Sequence, residues 1–88
     1  MEIKRGAAVR SLAGRDKGQL FFVAAVDGAY ALLVDGKARR EENPKRKNLR
    51  HIEPIAEQPA DEALFSGDGK VPAAEIRKSL SRLAAEQD

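Results

Sequence analysis

The side chains that carry most enzymatic chemistry are few in this chain and poorly placed relative to one another. His51 is its single histidine, and cysteine is absent. Ser11, Ser66, Ser79 and Ser81 have no base beside them in the sequence, so no hydroxyl stands out as an activated nucleophile. Glu41 and Glu42 are adjacent, and neighbours on a strand point to opposite faces, so the two carboxylates cannot act on one substrate and read as surface charges. One histidine and dispersed carboxylates give no ligand spacing for zinc, calcium or magnesium. The chain is therefore read as a non-enzyme that needs no cofactor and no metal.

The cations do form a pattern. Gly14-Arg15-Asp16-Lys17-Gly18 sets two of them between glycines. Read as a binding loop, its amides and the Arg15 and Lys17 side chains meet phosphate oxygens; read as plain structure, it is a turn with solvated charges. It is not a Walker-type nucleotide loop, which needs Gly, four residues, then Gly-Lys-Ser/Thr. Lys45-Arg46-Lys47 with Arg50 is the densest basic cluster, and Asn48 and His51 add hydrogen-bonding groups beside it. Such a cluster attracts phosphates, although a solubilising loop has the same composition. The whole chain carries a net charge of +2, but residues 1–51 hold twelve basic and six acidic side chains and residues 52–88 hold four and eight. A basic front half points to a polyanionic partner. Phe21 and Phe22 lie in an apolar run and are expected in the core rather than stacked on bases.

These residues need a scaffold, and 88 residues allow one modest core. Hydrophobic residues make up 42% of the chain but aromatics only 5%, so that core must be built from Val, Leu, Ile and Ala. With no cysteine to form disulfides, an intracellular, cytoplasmic setting is expected. No apolar run of a secretory leader follows Met1, and the longest such run, residues 20–26, is far shorter than the roughly 20 residues that cross a bilayer. No membrane partner is expected.

Glycine-bounded apolar segments predict short strands over 7–12, 20–26 and 30–34, with Asp27-Gly28 and Asp35-Gly36 as hairpin turns. A brief strand over 37–40 should follow, then, after the break at Pro44, a strand emerging from the basic segment 45–52. Five short strands in about fifty residues imply a small barrel, because closure removes exposed edges. Residues 57–71, acidic and containing proline and glycine, read as a linker. Ile76, Leu80, Leu83 and Ala84 fall on one helical face, predicting an amphipathic helix over 72–87 with Pro72 at its start. The barrel over 1–56 is expected to fold alone.

The segment from Gly6 through the Ala-Gly-Arg-Asp-Lys-Gly loop to Gly28 resembles a KOW motif, with Gly18 at the motif's glycine. Residues 43–51 and 75–80 are further similar to a small bacterial KOW-domain RNA-binding protein, itself like ribosomal large-subunit protein fourteen of archaea and eukaryotes. The resemblance covers residues 3–53 and, more loosely, the last helix. It implies a mainly β fold, a small SH3-like barrel followed by a linker and one C-terminal α-helix. It also implies binding to structured RNA, above all ribosomal RNA, with ribosomal proteins as further partners. The residues expected to contact RNA are Arg10, Arg15, Lys17, Lys45, Arg46, Lys47, Asn48, Arg50 and His51, with Gly14 and Gly18 shaping the loop. The alternative is a protein-interaction module of the transcription or translation machinery, since KOW barrels also bind proteins.

Overall fold

The computed structural model describes residues 3–56, 65 and 71–87. The chain is mainly β. Five strands, β1 (Ala8–Ser11), β2 (Leu20–Asp27), β3 (Tyr30–Val34), β4 (Lys45–Asn48) and β5 (Ile52–Ala56), form one antiparallel sheet in the order β4-β3-β2-β1-β5. A 3-10 turn, Leu49–His51, joins β4 to β5, and one helix, α1 (Ala73–Gln87), ends the described chain.

Alternation along β2 explains its unbroken apolar run. Phe21 and Val23 point to one face and Leu20, Phe22 and Ala24 to the other, and both faces are covered. The inner cluster joins Val9, Phe21, Val23, Ala31, Leu33 and Ile52, with Leu49 packed against it. The outer cluster joins Ala8, Phe22 and Val34 to Phe65, Val71, Ile76, Leu80 and Leu83. A strand with two buried faces has no solvent side to keep polar, so the period-2 pattern vanishes from its sequence. Burying a side chain such as Phe22 or Ile76 completely is worth about 1.5 to 3 kcal/mol, so the outer cluster supplies a large part of the stability of so small a protein.

The sheet is not closed: among the described residues β4 and β5 are its two edges, and no ladder joins them. This departs from the expected barrel closure. Tertiary contacts hold the curled sheet instead. Leu12 N–H donates to the His51 carbonyl at 2.8 Å, and side chains of β4 reach the loop between β1 and β2.

Residues 37–40 form no strand, a second departure. The buried Asp35 accepts from the amides of Lys37 (2.8 Å) and Arg39 (3.0 Å), and its own amide donates to the Arg39 carbonyl at 2.8 Å. These bonds fold 35–40 into a tight loop and take up the amides a ladder would need. β3 pairs with Lys45–Asn48 instead, so the basic segment itself is the fourth strand. The fifth contains Pro54, opposite Val9, which is tolerated because β5 has a neighbour on one side only.

Most of the predicted linker, 57–71, lies outside the described residues, but Phe65 and Val71 are buried in the outer cluster. Phe65 meets Phe22 edge-on, with ring centroids 5.2 Å apart, and Arg5 lies 5.4 Å from the Phe65 ring while donating to the Ala24 carbonyl. α1 follows the predicted span. Ile76, Leu80 and Leu83 are buried as expected; Ala84 is exposed, and Ser79 is buried in its stead. Glu41 is not a plain surface charge, because its Oε1 accepts from the Val71 amide at 2.7 Å just before the helix begins.

Candidate functional site

The loop between β1 and β2 is organised by one inward-pointing carboxylate. Asp16 lies between two outward-pointing cations, and its side chain is only 9% exposed. Its Oδ1 accepts from the Ser11 hydroxyl at 2.6 Å and from Lys47 Nζ at 2.8 Å, while Oδ2 sits 3.0 Å from Lys45 Nζ. Lys47 Nζ also donates to the Ala13 carbonyl at 2.9 Å. Burial alone would raise the Asp16 pKa, but the hydrogen bonds from Lys47 and Ser11 and the Lys45 ammonium beside Oδ2 outweigh it and hold the carboxyl far below the usual carboxylate range. Three charges are thereby paired across the mouth of the curled sheet, tying the loop to edge strand β4.

Gly14 and Gly18 bracket this loop with φ of +84° and +91°. No atom lies within 4 Å of where a Gly18 Cβ would sit, so its glycine is required by backbone conformation and not by space. With Asp16 turned in, Arg15 and Lys17 are exposed and their side chains make no hydrogen bond or ion pair among the described residues.

The structure divides the nine predicted contact residues. Arg15, Lys17, Arg50 and His51 are exposed, and the bond between Leu12 and His51 sets the 3-10 turn beside the loop that carries Arg15 and Lys17. Arg46 is also exposed, but on the other face of β4, its guanidinium carbon 3.8 Å from the centroid of the Tyr30 ring. Lys47, with a side chain only 10% exposed, is engaged inside the protein, and Lys45 is half-engaged through Asp16. Asn48 uses its Oδ1 to accept from the Arg50 amide and so caps the 3-10 turn. Arg10 pairs with Glu53 at 3.9 Å.

Sequence reasoning missed Ser11, Asp16 and Asp35 as organisers of the site. Ser11 and Asp35 are buried polar residues: the Ser11 hydroxyl donates to Asp16, and Asp35 accepts from the distant Gln19 amide as well as from the Lys37 and Arg39 backbone. The hydroxyl of Ser11 donates to a carboxylate with no histidine in contact, so it is a structural group. Among the described residues no three His, Cys, Asp or Glu side chains come together as a metal cage, and no helix is long and apolar enough to cross a membrane.

Neither a protein-family model nor a curated protein matches this chain.

Proposed function

We propose that the protein is a non-enzymatic, cytoplasmic RNA-binding protein that contacts the phosphates of structured RNA, ribosomal RNA above all, with the rim formed by loop 12–19 and the 3-10 turn. The observation that carries this reading is the Asp16 clamp. By consuming Lys45 and Lys47 internally, it fixes the loop with Arg15 and Lys17 facing solvent, next to Arg50 and His51. Cations held in position without an intramolecular partner are suited to phosphate oxygens, and contacts of that kind position RNA without reading its sequence.

Replacing Arg15, Lys17 and Arg50 together with alanine tests it. If each neutralises one phosphate, the plot of log affinity against log salt should flatten by about 2 to 3 units, with similar weakening for unrelated RNA sequences. Lys45 and Lys47 are left intact because their loss would disturb the fold. A folded triple variant with wild-type affinity and slope would move the RNA surface elsewhere. A wild-type protein without salt-dependent RNA affinity would instead favour docking to an acidic protein.

A further inference from the structure

Beside the loop just described, a groove of about 560 Å³ runs between loop 35–40 and α1. Its walls include Gly18 and Gln19 from the end of the β1–β2 loop, Lys37 from loop 35–40, and Arg77 and Ser81 from the helix, with Leu80 as apolar floor. We propose that this groove is a second phosphate-binding surface, which carries the backbone of the same RNA onward from loop 14–18. The proposal rests on the RNA-binding reading above and extends it to the C-terminal helix.

Charge is the first argument. Two cations, Lys37 and Arg77, line the groove against one carboxylate, Asp35. That carboxylate is only 8% exposed and already receives three donors: the Lys37 and Arg39 amides on Oδ1 and Gln19 Nε2 on Oδ2. Those three donors offset its charge toward a ligand in the groove. Lys37, by contrast, is exposed and has no side-chain partner among the described residues. Arg77 spends one Nη1 donor on the Gly36 carbonyl, and a guanidinium has five N–H donors, so it keeps others for a phosphate while its position is fixed. The exposed Ser81 adds a neutral donor on the next helical turn.

Continuity is the second. Gly18 belongs both to the positive-φ loop and to the groove wall, and the exposed Lys17 immediately precedes it. A nucleic-acid strand crossing Arg15 and Lys17 is led into the groove without passing an unpaired carboxylate of its lining. Leu20 and Leu80 offer apolar surface to a sugar between phosphates, which a site for a bare inorganic anion would not need.

The test compares two charge reversals of equal size, Lys37→Glu and Lys78→Glu, and one added negative charge, Ser81→Glu, in the full chain. Lys37→Glu and, independently, Ser81→Glu are measured against Lys78→Glu, which lies on the same helix but outside the groove lining. The probe is a fluorescein-labelled RNA hairpin titrated over a range of salt, and amide spectra establish that each variant is folded. Lys37→Glu should weaken binding about tenfold and flatten the salt plot by about 1 unit, Ser81→Glu should weaken it as well, and Lys78→Glu should change affinity less than about twofold. If Lys37→Glu and Lys78→Glu act equally while the wild type binds, the effect is general charge and the groove is not a site, although the RNA reading survives. If the wild type itself shows no salt-dependent binding, the RNA reading fails and the groove proposal falls with it.

Discussion

Asp16 sits between two lysines and a serine, and that placement links its protonation to folding. Its carboxyl is held far below the usual range in the folded chain, whereas in the unfolded chain it titrates at the ordinary value of 3.8. As pH falls the unfolded state therefore takes up the proton first, and the folded state loses stability relative to it. The contribution is complete above about pH 5 and declines progressively below about pH 4. Asp16→Asn removes the charge but keeps the shape, leaving Lys47 buried without its counter-ion. We expect that variant to be destabilised by about 2 to 4 kcal/mol at pH 7. The gap from wild type should narrow as unfolding in urea is repeated toward pH 2.5. A gap that stays constant with pH would mean that the carboxylate's charge is not what holds the loop. None of this was legible in the loop's own sequence, although the loop's position and its glycines were. The lysine partners of Asp16 lie on a strand some thirty residues away, and Arg-Asp-Lys reads as three solvated charges until that strand is known to return to the loop.

At the scale of elements, β2, β3 and α1 were legible because their signals are local: an apolar run, a glycine turn, a helical stripe. The strand expected over 37–40 and the true β4 were confused because Asp35 decides between them by capturing two amides, which the preference for Asp-Gly turns does not reveal. The last strand expected, over 45–52, spans β4 and the 3-10 turn and ends where β5 begins at Ile52, and Pro54 within β5 fits a strand only at an edge. Loop 35–40 also fixes where α1 can lie. Gly36 has φ of +77°, and a Cβ there would sit 2.4 Å from the Ala73 carbonyl oxygen and 2.9 Å from Arg77 Cγ. Its glycine is needed both for conformation and for the close approach of the helix. Gly36→Ala should therefore cost about 2 to 4 kcal/mol, from the strained backbone and the displaced helix together. Thermal unfolding should show a markedly lower midpoint, and amide shifts should change along the first turn of α1. An unchanged midpoint would mean that the helix can move aside without loss.

At the scale of the molecule, the helix and the segment before it complete the core that the sheet begins. Sequence patterning places a barrel over 1–56 able to fold alone, because the strand signals end there and a polar, proline-containing stretch follows. The packing argues otherwise. Phe65, Val71, Ile76, Leu80 and Leu83 all come from beyond residue 56, and together they bury the outer face of Ala8, Phe22 and Val34. If each is worth even the lower part of the about 1.5 to 3 kcal/mol for a fully buried apolar side chain, their sum is comparable with the whole stability of a small domain. They were hard to weigh from sequence because a lone Phe or Val in a polar stretch carries no period, and the helical stripe says that a face is buried without saying against what. A fragment of residues 1–56 should accordingly lose the cooperative fold, giving collapsed amide dispersion and an exposed apolar face that binds hydrophobic dyes. Adding a peptide of residues 57–88 should restore dispersion, because the missing contacts are noncovalent and need no chain connection. Amide spectra of the fragment, with and without the peptide, decide the matter. A fragment that alone shows the dispersed spectrum and two-state unfolding of the full chain would make the helix an accessory to the sheet and not part of its core.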